Sequence, residues 1–308
     1  MKIIATIPPP IGEMPYIVGY HPMVSAARFN VGSCKRSPYS PEETLTMLSR
    51  VLGKKPLYVD IKGRQLRIAR WASQNFGEII LNHEIEVDLP ATIYFRGDEE
   101  NPSIIHKING NRVYVEPRPK HVIGEGQSVN VIGANLKIKG YLTRDDIRYI
   151  DAARKLGIIN IMASYVESGD DLEEILSLYP EARITAKIES VKGMYFIADD
   201  YEQYKITTTL MAAREDLYNE MIQGNISVLK LLGKIVKVDP NAIVASRLVE
   251  SFLDKIYISL PDLSDVCLMD AIGYKNFLLS DDLCERKEPF LRAMEFFERY
   301  FKERADFI

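Results

Sequence analysis

The sequence predicts an α/β fold: a TIM (β/α)8 barrel with a small all-β domain inserted after the third strand. Three observations carry this expectation. Short β-branched runs recur along the chain with helical patterns between them. Their starts, near residues 2, 27, 57, 158, 183, 206, 241 and 276, number eight, the strand count of a closed parallel barrel. Between about Trp71 and Gly133 the β/α alternation gives way to short alternating segments without a long helix. An open doubly wound sheet uses the same alternation and is the competing architecture.

The elements follow in order. Lys2–Ile7 is the first strand, stopped by Pro8-Pro9-Pro10. Ala27–Val31 is the second, after a Pro-rich loop. Ser40 is placed to cap an amphipathic helix through about Leu52, with Pro41 at its first position. Leu57–Ile61 is the third strand. The insertion reads as strands Glu78–Val87, Ala91–Arg96, Ser103–Ile108 and Arg112–Glu116, with turns at Gly97-Asp98 and Asn109-Gly110-Asn111. The expected divisions are 1–70 for the first part of the barrel, 71–133 for the insertion and 134–308 for the rest. Trp71, the single tryptophan, is read as core packing at the entry to the insertion.

Leu142-Thr143-Arg-Asp-Asp opens a helix that Gly157 stops. Strand Ile158–Ala163, helix Asp170–Tyr179, strand Arg183–Ile188, helix Val191–Asp199 and strand Ile206–Ala212 follow. A long helix is expected over Glu215–Ile235, then strand Asn241–Ala245, helices Arg247–Lys255 and Ser264–Ile272, and strand Asn276–Leu279. Arg286–Arg304 closes as an amphipathic helix with Phe290, Met294, Phe297 and Tyr300 near one face.

Composition excludes several classes. The 308 residues are 46% hydrophobic and 27% charged, as in globular proteins. A net charge of −4 gives no global field for nucleic acid or an anionic membrane. No apolar run reaches membrane-spanning length, and the N-terminus does not read as a secretory signal. Cys34, Cys267 and Cys284 are sparse and odd in number, as expected of reduced thiols in the cytoplasm. The four histidines, His21, His83, His106 and His121, make no zinc spacing, so a hard cation on carboxylates is the expected metal.

In such a barrel, chemistry gathers where strands end. Those ends carry Arg28 and Asn30, Asp60, Ser164, Lys187 and Glu189, Arg214-Glu215-Asp216, and Ser246. Glu189 and Asp216 leave adjacent strands and suit one Mg²⁺ or Mn²⁺. Lys187 lies two residues before Glu189, on the same side of the extended backbone, where an ammonium can stabilise an enolate or a transferring phosphoryl group. Taken alone, Lys187 and Glu189 are better read as an ion pair closing the barrel; with Asp216, Arg28, Asn30 and Asp60 at the same end, the functional reading becomes preferable. Ser246 reads equally well as a helix N-cap, whereas Asp281-Asp282 read as caps of the last helix in preference to metal ligands.

These strand ends, in this order, resemble the pyruvate kinase family. Ala5-Thr6-Ile7-Pro8 looks like its opening strand, and Arg28-Phe-Asn30 is similar to its arginine–x–asparagine signature. Asp60-Ile-Lys-Gly-Arg-Gln-Leu-Arg67 looks like DTKGPEIR, and Ser128-Val-Asn-Val-Ile-Gly133 like the return from the family's mobile β domain. Ala163-Ser-Tyr-Val resembles ASFV, and Lys187-Ile-Glu189-Ser-Val-Lys-Gly matches the lysine–x–glutamate motif. Ala213-Arg-Glu-Asp216-Leu resembles ARGDL, Ala245-Ser-Arg-Leu-Val-Glu-Ser resembles ATQMLES, and Ser264-Asp-Val matches the SDV helix.

The resemblance implies roles. Lys187 and Arg28 would act at the phosphoryl and enolate oxygens, with Ser246 where the enolate carbon is protonated. Glu189 and Asp216 would hold the divalent metal. Asn30 and Asp60 would belong to a weakened K⁺ site. Arg67 would contact phosphate or ADP/ATP, and Ser164, Arg214 and Glu215 would border the substrate, its carboxylate on the amides of Arg214–Asp216. The chain also departs from the pattern. Val31, Gly32 and Ser33 follow Asn30 in place of a potassium-ligand serine and a nucleotide-contacting histidine. Ile61 replaces a threonine, Gln127 stands near a phosphate-binding lysine, and Glu215 replaces a glycine. The insertion is short, and the family's C-terminal regulatory domain is not expected, so neither is its allostery.

Groups for the metal and the enolate are kept, whereas groups for nucleotide and K⁺ are depleted. The first expectation is therefore a metal-dependent enzyme that acts on phosphoenolpyruvate or pyruvate through a metal-bound enolate, with phosphoryl transfer to or from a nucleotide. The alternatives are nucleotide-independent enolate chemistry on a 2-oxo acid (oxaloacetate decarboxylase, lyase or aldolase) and a non-catalytic metabolite-binding paralogue, for which Glu215 argues. Small molecules are the expected partners. Barrel helices offer surface for a homo-oligomer, but no seam is legible.

Overall fold

The computed structural model describes residues 1–73, 78–95, 101–119, 124–222 and 227–307; of these, the side chains at 34–36, 71–73, 219–222 and 305–307 are outside the description. Eight parallel strands form a closed barrel in sequence order: β1 (Lys2–Thr6), β2 (Val24–Asn30), β3 (Leu57–Ile61), β4 (Asn160–Ala163), β5 (Arg183–Ile188), β6 (Thr208–Ala213), β7 (Ile243–Ala245) and β8 (Asn276–Leu279). β1 closes on β8 with Lys2 opposite Asn276 and Ala5 opposite Leu279. Closure removes the sheet edges and with them the doubly wound alternative. No helix among the described residues is long and apolar enough to cross a membrane.

The barrel interior follows from strand alternation. Ile4, Ala26, Met162, Met211, Ile243, Ala245 and Leu278 pack into one buried cluster, with Tyr58 against it. Each strand contributes residues of a single parity, so the next residue of that parity also faces inward, one layer nearer the C-terminal mouth. Those next residues are Thr6, Arg28 and Asn30, Asp60, and Ser164. In β5, Lys187 and Glu189 take the same place. A layer of polar groups thus sits directly on an apolar plug.

Local signals set many boundaries. Helix Pro41–Leu52 starts at Ser40 with a complete capping box: Ser40 Oγ accepts from Glu43 N at 3.2 Å, and Glu43 Oε2 accepts from Ser40 N at 2.9 Å. Helix Arg144–Leu156 stops before Gly157, whose φ of 68° is left-handed. Phe290, Met294 and Phe297 of the final helix, Lys287–Phe307, are buried.

Four expectations need correction. The Pro-rich loop holds a helix, Met14–Tyr20, with Pro15 in its first turn. The long helix over Glu215–Ile235 is two, Arg214–Ile222 and Val228–Val238. The expected helix Arg247–Lys255 is an irregular turn with a 3₁₀ segment at Glu250–Leu253; Ser246, Arg247 and Val249 are all left-handed, which interrupts any α-helix. The expected strand Glu78–Val87 is split into Glu78–Leu81 and Ile85–Glu86, which join different sheets.

Residues Lys62–Arg144 form a compact unit of their own, and Met1–Ile61 with Asp145–Ile308 form the other. The inserted unit has a six-stranded antiparallel sheet in the order Val129–Ile132, Ala91–Phe95, Ser103–Asn109, Arg112–Glu116, Glu78–Leu81, Ile68–Ser73. It also has a two-stranded ribbon that pairs Ile85–Glu86 with Lys137–Ile138. Ile79, Leu81, Ile93, Phe95, Ile105, Val113 and Val115 line its own core. The unit is wider than 71–133 because Ile68 and the ribbon at Lys137 pair inside it. Gly110, with φ 61°, makes the tight turn expected there. The turn at Gly97-Asp98 and the side chain of Trp71 lie outside the described residues.

Candidate active site

The polar layer at the barrel mouth is a network built around two buried cations. Arg28 donates from Nε and Nη2 to Thr6 Oγ1 at 3.1 and 2.7 Å, and from Nη1 to Asp60 Oδ2 at 2.6 Å. Its Nη2 also meets Asp281 Oδ2 at 2.5 Å. Burial opposes the Arg28 charge, but Asp281 and Asp60 outweigh it and hold the guanidinium above its ordinary value. Thr6 in turn donates to Leu279 O at 2.7 Å, which fixes the fork across the β1–β8 seam.

Lys187 is the second cation. Its Nζ donates to Ser164 Oγ at 2.8 Å and lies 3.1 Å from Glu189 Oε1 and 3.6 Å from Asp60 Oδ1. Burial again works against the charge. Asp60 and Glu189 more than offset it, so Lys187 is raised above its ordinary value and stays an ammonium. Ser164 is itself buried and donates to Ile61 O at 2.9 Å, which leaves its lone pairs toward the ammonium. Glu189 Oε2 accepts from Tyr165 N at 2.6 Å. Tyr165 holds a left-handed φ of 50°, a local backbone cost that turns its N–H onto this carboxylate.

Glu189 begins the turn into helix Val191–Asp199, where Ser190 Oγ accepts from Gly193 N at 3.0 Å. A Cβ at Gly193 would approach Val166 O to 3.0 Å, so the glycine of this motif answers a close backbone approach.

Asp216 lies in the first turn of helix Arg214–Ile222 and shares a hydrogen bond with Glu189. Burial and then the Glu189 charge push Asp216 up to about 7. Among the described residues, no group of three or more His, Cys, Asp or Glu converges on one metal position. Two carboxylates pressed together still fit a divalent ion that takes its other ligands from water and substrate, because the ion removes the repulsion that now favours protonation. The K⁺ expectation fits less well. Asn30 Oδ1 accepts from Gly32 N at 3.0 Å, its amide donates to Asp281, and Asp60 is already matched to Arg28.

Other expected site residues have different partners from those anticipated. Arg214 clamps Asp265 bidentately at 2.5 and 2.9 Å and donates to Ala245 O and Ser246 O at 3.2 and 2.6 Å. It ties the ends of β6 and β7 to helix Leu260–Ala271. Ser246 is not a helix N-cap: its φ is 76°, and the left-handed turn follows it. Glu215 pairs with Arg247, whose Nε lies 2.9 Å from Oε1. The extra negative charge at that helix start therefore arrives with its own counter-ion. Arg67 belongs to the inserted unit, where it donates to Gln65 Oε1 at 3.0 and 2.6 Å and to Gly126 O at 2.6 Å.

Thr6, Asp265 and Asp281 were missed as partners of this network. Thr6 carried a signal, its parity with Ile4. Asp281, expected to cap a helix, is instead received by Arg28 and Asn30.

The family model for the pyruvate kinase barrel domain matches residues 85–282, more than half of the chain. This chain belongs to that family. The match runs through β4 to β8 and so includes Lys187, Glu189, Asp216 and Ser246. No curated protein matches the chain closely enough to be called a relative. For the pyruvate kinase barrel the geometry has a simple sense: two carboxylates, a fixed ammonium and a helix start converge on one mouth. That arrangement is suited to small anions and developing negative charge.

Proposed function

We propose that this protein is an enzyme that forms and protonates the enolate of pyruvate, phosphoenolpyruvate or a related 2-oxo acid at the barrel mouth. The observation that carries this reading is the Lys187 ammonium, buried and held by Ser164 and Glu189 beside the Glu189–Asp216 carboxylates. Because Lys187 stays charged, it acts as a fixed positive group for a developing enolate oxygen and not as a base. Glu189 and Asp216 would hold Mg²⁺ or Mn²⁺, which supplies polarisation of the 2-oxo group. The first-turn N–H groups of helix Arg214–Ile222 would receive the substrate carboxylate. The Ser246 hydroxyl, on a turn at the same end, would carry the proton to and from the methyl carbon.

Family membership favours phosphoryl transfer between phosphoenolpyruvate and a nucleotide, which depends on positioning and charge neutralisation. Nucleotide-independent chemistry on a 2-oxo acid, such as decarboxylation or carbon–carbon lyase chemistry, is favoured by the Asp281 carboxylate seated on Arg28. A purely binding role rested on Glu215, and Arg247 neutralises that argument. The reading places the protein in the cytoplasm with small-molecule partners.

The test is exchange of the pyruvate methyl protons in D₂O, followed by NMR with Mg²⁺ or Mn²⁺, with and without ATP. Exchange that needs the metal and is lost in Lys187→Met supports the enolate site, and dependence on ATP selects kinase chemistry. No exchange in any condition, with metal binding measured, rejects it.

A further inference from the structure

We propose that Asp281 determines substrate specificity by occupying the anion-receiving face of Arg28, which turns the site away from phosphorylated substrates and toward unphosphorylated 2-oxo acids. The proposal rests on the enolate reading above and names its substrate class.

Arg28 is a fork fixed on two sides. Nε and Nη2 are held by Thr6 Oγ1, and Nη1 by Asp60, which is fully buried. The Nη2 corner carries Asp281 Oδ2 at 2.5 Å. On the same strand, Asn30 Nδ2 donates to both Asp281 oxygens, at 3.0 and 3.2 Å. A guanidinium corner and an amide N–H₂ from one strand are thus aimed at one carboxylate. Such a set of donors receives a carboxylate or phosphoryl group equally well. Here the chain supplies the anion itself.

Two facts make this a matter of specificity and not of packing alone. The Asp281 side chain is 28% exposed while that of Arg28 is 8% exposed, so the carboxylate stands on the solvent side of the cation. An anion arriving from solvent meets Asp281 before it meets Arg28. Charge balance points the same way. Arg28 faces two carboxylates, Asp60 and Asp281, and Lys187 faces two, Asp60 and Glu189. Among the described side chains paired with Arg28 and Lys187, the carboxylates outnumber the cations, which disfavours a phosphate dianion, whereas a monocarboxylate received at the start of helix Arg214–Ile222 makes no demand on Arg28. Asp281 is sequence-distant from Arg28 by 253 positions and opens the short helix Asp281–Cys284 after β8.

The experiment is calorimetric titration of wild type, Asp281→Asn and Asp281→Ser with inorganic phosphate, phosphoenolpyruvate and pyruvate in the presence of Mg²⁺. Removing the charge is expected to tighten phosphate and phosphoenolpyruvate by roughly tenfold or more, because two like charges no longer compete for one guanidinium. Pyruvate is expected to change far less. Glu303→Gln, the same charge change at an exposed site, leaves all three unchanged. Equal phosphoenolpyruvate affinity in wild type and both variants overturns the proposal. So does a wild type that binds phosphoenolpyruvate far more tightly than pyruvate, a result that needs no variant to fold. Methyl-proton exchange in the wild type keeps the two readings apart. Its loss removes the enolate assignment, and the phosphate gain in Asp281→Asn is judged without it.

Discussion

Replacing Lys187 with methionine removes one buried positive charge and leaves an unbranched side chain one heavy atom shorter. Coulomb attraction at the 3.1 and 3.6 Å separations from Glu189 and Asp60 is roughly 5 kcal/mol each at an effective dielectric near 20. Desolvation of the ammonium and repulsion from Arg28 offset much of that. The net loss follows from what remains: Glu189 without its cation and Asp60 with Arg28 alone, at about 3–5 kcal/mol when a buried pair loses one member. Lys187→Met is therefore expected to lower unfolding free energy by that amount in urea denaturation near pH 7.5. The sign with pH is fixed by the raised Lys187 value. Its contribution is complete below the unfolded lysine value of about 10.4 and disappears only as pH rises above it. Methyl-proton exchange should fall by about 10²–10³-fold, the usual loss for one preorganised donor at a developing oxyanion. A variant as stable as wild type would show that the ammonium is not clamped as described. Exchange retained at the wild-type rate would remove Lys187 from the chemistry.

Three further outcomes are expected. Asp216 is raised to about 7, so it takes up a proton on folding and the metal-free protein loses stability as pH rises from about 4 to about 7. Mn²⁺ competes with that proton and should raise the melting temperature more at pH 8 than at pH 5; equal shifts would show that these carboxylates do not hold the ion. Arg214→Lys loses the bidentate clamp on Asp265 and should cost about 1–3 kcal/mol, read as a lower melting temperature; unchanged stability with abolished pyruvate binding would instead make Arg214 a substrate contact. Arg247→Gln leaves Glu215 uncompensated and should weaken pyruvate binding a few-fold, with Glu215→Gln/Arg247→Gln restoring it. The pair is half-exposed, so its coupling in stability should stay within about 1 kcal/mol.

Much of the frame was legible in the sequence because its causes are local. Strand period and β-branching placed β3, β5 and β8 at the residues where they are found. Side-chain capping at Ser40 and left-handed backbone at Gly157 and Gly110 are properties of a few consecutive residues. The same short-range logic put Arg28, Asp60, Lys187 and Glu189 at strand ends, and strand parity sends them all into one barrel mouth. It failed where a local pattern had a tertiary competitor. The stretch after Ser246 has helical composition, yet Arg214 draws the Ser246 carbonyl into its own hydrogen bonds and the chain turns left-handed there.

By itself, the sequence determined which chemical groups stand at the strand ends and the eightfold strand count, since repeat spacing and alternation are carried by neighbours along the chain. Only the tertiary structure decided how those groups are matched. Asp281 with Arg28, Asp265 with Arg214 and Arg247 with Glu215 are separated by 253, 51 and 32 positions. Charge pairing depends on distance in space, and that distance exists only once β8 has closed against β1 and the helix starts have been brought around one rim.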